Sequence, residues 1–126
     1  MMKLLNFLNR REGITREQFE DHWLNVHGPL VKSHAEALKL RKYVQVHARN
    51  PEVVRALNEP RNVGSGVSGD YDGVVEIWWD SAEDFLESLE TEEGKAAWAE
   101  IAADEPNFAN YKLSYTYVGE EIQIFP

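Results

Sequence analysis

The sequence predicts an α+β domain with a ferredoxin-like βαββαβ order, in which an antiparallel four-stranded sheet carries both helices on one face. Three observations predict it: segments with period-2 alternation, two stretches with apolar residues at helical spacing, and the order in which they follow one another. Because no linker-like stretch interrupts the 126 residues, we expect a single domain over residues 1–126.

The first strand is predicted over residues 3–9, and a helix follows it. Thr15 and Gln18 have the spacing of a capping box at the start of that helix. The helical stripe that follows consists of Phe19, His22, Trp23 and Val26. Gly28 and Pro29 are expected to end or kink the helix, which places His27 at a helix end. A second short helical stretch is expected over residues 30–38.

Residues 41–49 alternate in a way that predicts the second strand. One face would carry Val44, Val46 and Ala48, and the other Tyr43, Gln45 and His47. A long loop, Asn50 to Asp70, follows, with a turn of helix expected at residues 52–57 between proline and glycine breakers. Long loops in compact domains tend to be lids, binding loops or mobile segments.

The third strand is predicted over residues 72–79, with Asp72, Val74, Glu76 and Trp78 on one face. Ser81 can cap the next helix, and Thr91 restarts it. The last strand is expected over residues 113–118, with a terminal extension over residues 121–125. Two helices on one face leave the other face of the sheet bare. Its aromatic and aliphatic side chains predict a homodimer in which a second copy covers it.

Composition excludes several classes of protein. A formal net charge of −9 disfavours nucleic-acid binding, which depends on clustered Lys and Arg. The absence of cysteine removes disulfides and thiolate chemistry. No stretch approaches the roughly 20 apolar residues of a membrane span, and the start lacks the features of a signal peptide. We therefore expect a cytoplasmic protein with neither a nucleic-acid nor a membrane partner.

The run from Phe19 to Leu30 resembles the signature of the EthD family. It reads Phe19-x-x-His22-Trp23-x-x-x-His27-Gly28-Pro29-Leu30, and shorter similar blocks are Tyr43-Val44-Gln45, Tyr71-Asp72-Gly73, Glu76-x-Trp78 and Asp104-Glu105-x-x-Phe108. Together the blocks extend over nearly the whole chain except the Asn50 to Asp70 loop. The first block is fairly specific, whereas the others are short.

The resemblance implies a dimeric α/β barrel, in which two sheets pack face to face and each subunit encloses a pocket. Relatives include a methylmuconolactone methylisomerase, fungal polyketide anthrone dehydratases and decarboxylases, and small proteins of ether degradation. None of these depends on an organic cofactor, so the resemblance implies that no cofactor is needed. The family does not fix a reaction, because one fold supports many chemistries.

His27 is the first candidate catalytic residue. At a helix end its imidazole would point toward a pocket mouth, and histidine titrates near physiological pH. In the matching position the family's histidine is treated as catalytic in the characterised isomerase. The alternative is that His27 only hydrogen-bonds the last carbonyl groups of its helix.

Tyr43, His47 and Glu76 are the other candidate catalytic residues. Tyr43 and His47 share a polar strand face with Gln45, which lines either a wet pocket or the rim of the dimer. Glu76 needs a partner, which would be His27, His47 or a tyrosine, or else Arg41 or Arg49 in a structural ion pair. The candidate substrate-binding residues are Gln45, Trp78, Trp23 and Asp72.

Two functional hypotheses follow. The first is a cofactor-independent enzyme that uses acid–base chemistry, as an isomerase or lyase, on a hydrophobic oxygenated small molecule such as a lactone, quinone or polyketide-like aromatic. The second is a non-catalytic accessory or ligand-binding dimer. A haem-binding barrel, with His27 or His47 as iron ligand, is disfavoured. No metal site is predicted, because His22 and His27 are five positions apart and a helical pair of ligands needs three or four.

Overall fold

A computed structural model describes residues 1–62 and 71–126 of the chain. Four strands within these residues form one antiparallel sheet in the order β2-β3-β1-β4. They are β1 (Met2–Leu8), β2 (Lys42–His47), β3 (Gly73–Trp79) and β4 (Tyr115–Glu120). The predicted α+β, ferredoxin-like class is confirmed. Residues 121–126 continue past β4 without regular secondary structure.

The first helical segment starts where the capping box predicts. The side chain of Thr15 accepts a hydrogen bond from the backbone N–H of Gln18 at 3.1 Å, and the Gln18 side chain accepts one from Thr15 at 2.9 Å. Helix α1 (Arg16–His22) then passes directly into a π-helical turn, Trp23–His27, and into α2 (Gly28–Ser33).

Of the two outcomes expected at Gly28 and Pro29, an end or a kink of the helix, the end is wrong. The backbone N–H of Gly28 bonds the carbonyl of Trp23, five residues earlier, which is the wider turn of a π-helix. Pro29 directly follows the π-helical turn, as the second residue of α2, and the wider turn accommodates its ring and its missing N–H. His27 therefore lies inside a continuous helical segment and not at its end.

The remaining helices follow β2 and β3. Helix α3 (Pro51–Asn58) and a 3₁₀ turn (Glu59–Arg61) form part of the predicted loop, and residues 63–70 lie outside the described part. Ser81 and Thr91 cap helices α4 (Ala82–Ser88) and α5 (Glu92–Asp104), as predicted. Two 3₁₀ turns, Glu105–Asn107 and Tyr111–Leu113, connect α5 to β4.

Helices α1, α2, α4 and α5 pack on one face of the sheet, where two groups of apolar side chains form the core. One group is Leu8, Phe19, Trp23, Val75, Phe108 and Ala109, and the other is Val31, Leu38, Ala97 and Ile101. Gly73 permits the first group to form, since a Cβ on this residue would lie 2.5 Å from the Trp23 ring. On the opposite face, Tyr115 and Tyr117 are 67% and 66% exposed.

Candidate active site

An internal cavity of about 100 Å³ lies between the helix-facing side of the sheet and the helices above it. Its wall is mainly apolar, with Val31, Leu38, Val75, Ile77 and Ile101 among the residues that form it. The polar side chains in the wall are Asn6, His27, Tyr43, Glu105 and Tyr111. These groups come from β1, the π-helical turn, β2 and the segment that follows α5, so only the folded chain brings them together.

His27 is held in place by Asp104. Its side chain is 5% exposed, and Nδ1 lies 2.8 Å from Oδ2 of Asp104. The other carboxylate oxygen of Asp104 lies 2.8 Å from Nε2 of His22, and Phe108 packs against the His27 ring with centroids 4.7 Å apart. The predicted position of His27 at a pocket mouth is therefore wrong, because the ring is inside the protein.

The carboxylate of Asp104 sets the tautomer of His27. Burial alone would raise the pKa of Asp104, but hydrogen bonds from Asn107, His27 and His22 outweigh burial and lower it. An ionised carboxylate can only accept, so Nδ1 of His27 donates. In the neutral ring, Nε2 then carries the lone pair and is the nitrogen that can accept a proton.

Gln45 links His47 to Tyr43. Its Nε2 donates to the backbone carbonyl of Trp23 at 2.7 Å and to the Tyr43 hydroxyl oxygen at 3.3 Å. Because a carbonyl oxygen can only accept, the NH₂ group of Gln45 is the end of the amide that faces Trp23. The amide oxygen therefore faces His47 and accepts a hydrogen bond from its Nε2 at 2.9 Å. The Tyr43 oxygen thus receives a hydrogen bond, and its own proton remains available for donation.

Tyr43 is poised as a neutral donor. Burial raises its pKa, and its contacts with Gln45 and Trp23 offset only part of that effect. The Trp23 indole N–H is buried and has no acceptor at hydrogen-bond geometry in the described part of the chain. The Tyr43 phenol therefore stays protonated at neutral pH and can donate to an oxygen that develops negative charge.

Glu105 and Tyr111 form a second polar pair in the wall. Burial raises the pKa of the Glu105 carboxyl, and its hydrogen bond with Tyr111 and the field of His27 only partly counteract this effect. Burial also raises the pKa of the Tyr111 hydroxyl, and the adjacent Glu105 raises it further. The cavity thus combines the basic nitrogen of His27 with two tyrosine hydroxyls that hold their protons.

A larger groove of about 870 Å³ runs outside the cavity, along the edge formed by β2. Its lining includes Leu24, Pro29 and Lys32 from the first helical segment and Gln45 and His47 from β2. Leu40 and Tyr43 line both the groove and the cavity. These two side chains therefore form the wall between the two spaces.

The other predicted site residues lie elsewhere. Glu76 pairs with Lys3 at 2.6 Å on the open face of the sheet, and the Trp78 ring on that face lies 4.5 Å from the Lys3 ammonium group. Among the described residues, the ion pair of Glu76 is with Lys3 and not with the partners expected for it, which were His27, His47, a tyrosine, Arg41 and Arg49. Both residues are separated from His27 by the sheet, so we exclude them from this site.

Asp72 has a structural set of contacts. It accepts a hydrogen bond from the backbone N–H of Arg10 at 2.8 Å and one from the Arg16 side chain at 3.1 Å. These bonds tie the start of β3 to the β1–α1 connection. Asp72 is absent from the linings of both the cavity and the groove, whereas the predicted Trp23 supports the site by stacking on His47 with centroids 4.5 Å apart.

Comparison with known proteins gives the chain a family. The model of the EthD domain matches residues 11–111. The chain belongs to the EthD family. A search of curated proteins found no significant match. The predicted resemblance to EthD proteins is thus confirmed over most of the chain.

Solved structures with the same fold include an EthD-family protein from Bacillus halodurans, which is 22% identical, has a TM-score of 0.56, and matches over 97% of this chain and 100% of its own. HapK from Hahella chejuensis is 13% identical, with a TM-score of 0.61 and coverage of 97% and 93%. SnoaB, a cofactor-independent oxygenase from Streptomyces nogalater, is 10% identical, with a TM-score of 0.55 and coverage of 99% and 96%. At these identities the likeness concerns the fold.

Sequence reasoning did not assign Asn6, Asp104, Glu105 or Tyr111 to the site of this EthD chain. Asp104 and Glu105 belong to one of the blocks that carry the resemblance, and their presence in that block could have indicated a place in the site. Asn6 is a polar residue between Leu4 and Leu8 on the inward side of β1, a break in the apolar pattern that could have indicated a site. Nothing in the sequence singles out Tyr111.

Two further properties concern the described residues of the EthD chain. No cluster of three or more His, Asp or Glu side chains within them has a geometry suited to a metal ion. Among the same residues, none of the helices combines the length and the apolar character that crossing a membrane requires.

Proposed function

We propose that this EthD-family protein is a small cofactor-independent enzyme that uses acid–base chemistry, as an isomerase or lyase, on a hydrophobic oxygenated molecule. Lactones, quinones and polyketide-like aromatics are molecules of this kind. One observation carries the proposal: His27, whose Nε2 can accept a proton, and Tyr43, a neutral donor, line the same cavity. The cofactor-independent chemistry of SnoaB, which shares the fold, supports the absence of a cofactor.

In the proposed reaction, the carbonyl oxygen of the substrate accepts a hydrogen bond from Tyr43. His27 removes a proton from the carbon next to the carbonyl group, and the electron pair of the broken C–H bond moves onto the oxygen to give an enolate. Tyr43 stabilises the enolate, and Asp104 stabilises the imidazolium. Return of the proton to a different carbon completes an isomerisation, whereas loss of a leaving group from the adjacent carbon completes a lyase reaction.

The groove and the cavity have different parts in this proposal. The cavity, about 100 Å³, is smaller than the roughly 300 to 1,000 Å³ of most small-molecule sites, whereas the groove, about 870 Å³, is within that range. We place the body of the substrate in the groove and its reacting carbonyl group at Tyr43. Rotation of the Tyr43 and Leu40 side chains, which separate the two spaces, then exposes the reacting carbon to His27.

We also propose that the working form is a homodimer joined through the open face of the sheet. The exposed Tyr115 and Tyr117 on β4 and the half-exposed Val46 on β2 support this arrangement. They give that face an aromatic and aliphatic surface of the kind that a second sheet covers in sandwiches and barrels.

Proton exchange with solvent tests the proposed chemistry without a known product. The protein is incubated in D₂O with a panel of lactones and cyclic ketones that carry a saturated C–H bond next to the carbonyl group, and exchange at that carbon is followed by NMR. We expect at least one compound to exchange faster than in buffer, and Tyr43→Phe to slow that exchange by about 10- to 10³-fold.

The exchange experiment, combined with native mass spectrometry, tests the alternative, an accessory protein that binds a small molecule without converting it. Native mass spectrometry identifies any small molecule that the purified protein retains. A retained molecule that the protein neither exchanges nor converts would contradict the enzymatic proposal and support the accessory role.

A further inference from the structure

One acceptor in the cavity wall is left unpaired by the fold. Oδ1 of Asn6 is buried and accepts no hydrogen bond from any residue in 1–62 or 71–126. An amide oxygen that loses its water without gaining a partner destabilises the folded protein. Such an atom requires an explanation, and a functional role or a bound partner is one.

Packing does not explain the asparagine. Asn6 lies in the middle of β1, with Val75 of β3 and Thr116 of β4 as its register partners. The inward neighbours on its own strand, Leu4 and Leu8, are apolar, and leucine has nearly the same shape as asparagine. A leucine would fill this position without an unpaired oxygen.

The protein donors in the cavity are largely engaged with other groups. The His27 ring donates to Asp104, and Tyr111 is hydrogen-bonded with Glu105. The Tyr43 hydroxyl retains a proton to donate, but it makes no hydrogen bond with Asn6 in the described chain. Residues 1–62 and 71–126 therefore do not supply the donor that Asn6 lacks.

We propose that Asn6 is a specificity-determining residue whose Oδ1 accepts a hydrogen bond from a hydroxyl group of the ligand. The inference rests on the site of the proposed function and adds the class of substrate. A ligand that meets both Tyr43 and Asn6 carries an oxygen that accepts and a hydroxyl that donates. Hydroxy ketones, enols and phenols have this pairing, whereas simple lactones and unsubstituted quinones lack the donor.

Phenol and fluorobenzene are suitable probes, because they have nearly the same shape and differ in the hydroxyl donor. Their dissociation constants are measured by NMR titration for the wild-type protein, Asn6→Leu and the matched control Thr116→Val. Thr116 pairs with Asn6 on the neighbouring strand but is not part of the cavity wall. A thermal melt of each protein accompanies the titrations.

We expect the preference for phenol over fluorobenzene to fall by about five- to tenfold in Asn6→Leu and to stay at the wild-type value in Thr116→Val. We also expect Asn6→Leu to melt at the same temperature as the wild type or above it, because the substitution removes an unpaired buried oxygen. Asn6→Ala removes the same oxygen and replaces the leucine variant if that variant does not fold.

An unchanged preference in Asn6→Leu would contradict the proposal. A lower melting temperature with an unchanged preference would show that Asn6 serves the fold instead, for example through a buried water. Failure of phenol to bind the wild type would also contradict it. Because none of these measurements involves turnover, the result is independent of whether His27 acts as a base.

Discussion

His27 and Asp104 are 77 positions apart in the chain, yet Nδ1 of the imidazole lies 2.8 Å from Oδ2 of the carboxylate. This hydrogen bond joins the π-helical turn of the first helical segment to the end of α5. Through its other oxygen, Asp104 also holds His22. One carboxylate therefore connects two elements of the fold and sets the tautomer of the candidate base.

Replacing Asp104 with Asn tests this connection through stability. We expect the free energy of unfolding to fall by about 2 kcal/mol at pH 7, because a partly buried, charged acceptor of several hydrogen bonds is lost. The pKa of Asp104 is lower in the folded than in the unfolded protein. The stability that the Asp104 carboxylate contributes is thus present above about pH 4 and is lost as the pH falls through its pKa in the folded protein. The variant has no carboxylate at this position and should therefore lose less stability than the wild type on acidification.

Urea denaturation between pH 7 and pH 3 measures both effects. Asp21→Asn is the matched control, because Asp21 is an exposed carboxylate of α1 that accepts a hydrogen bond from the Asn25 side chain at 2.9 Å. We expect the control to stay within about 0.5 kcal/mol of the wild type. Equal stabilities of the two variants at every pH would show that the carboxylate of Asp104 has no special role.

Tyr43 and Tyr111 should ionise later than free tyrosine. Burial raises the pKa of both hydroxyls, so any stability linked to their neutral forms is present below about pH 10 and is lost as the pH rises. Alkaline titration of the tyrosinate absorbance should show a late phase that becomes smaller in Tyr43→Phe and in Tyr111→Phe. If neither substitution changed the late phase, the two hydroxyls would not be in the desolvated setting we describe.

The open face of the sheet should mediate dimerisation. We expect sedimentation equilibrium at micromolar concentration to give twice the 14.5 kDa mass of the chain. Tyr117→Glu places a charge on this face and should shift the protein toward monomer, whereas Leu86→Glu, at an exposed position of α4, should leave the dimer intact. A wild-type protein that sediments only as the single chain would contradict this prediction.

The purified protein should contain no stoichiometric metal, haem or flavin. Side chains that could act as metal ligands make other contacts, since Asp104 is hydrogen-bonded to His22 and His27 and Nε2 of His47 donates to Gln45. Elemental analysis and an absorbance spectrum test this expectation. One metal ion or chromophore per chain would require a different interpretation of the site.

The sequence pattern predicted the faces of the strands but not how the faces meet. Alternation correctly separated Tyr43, Gln45 and His47 from the neighbouring valines. The register pairs Val44 with Glu76, so Glu76 shares the open face with that valine and not the inner face with Tyr43. Alternation within a strand has a period of two and carries no information about which face of a distant strand lies beside it.

The π-helical turn explains why the place of His27 was mispredicted. A regular helical period places Val26 on the inward stripe, but Val26 is 48% exposed and His27 takes the buried position four residues after Trp23. The wider turn shifts the phase of the helix and accommodates Pro29. The pairing of His27 with Asp104 is a tertiary contact that local sequence patterns do not encode.

The central claim is that His27 acts as a base, and a comparison of two histidines tests it most directly. His22 and His27 both bond Asp104, but only His27 lines the cavity. On the compound that exchanges fastest with the wild type, His27→Gln should slow exchange by about 10² to 10⁴-fold, whereas His22→Gln should retain most of the rate. Equal rates in His27→Gln and the wild type, with a lower melting temperature in the variant, would contradict the claim and leave His27 a structural role.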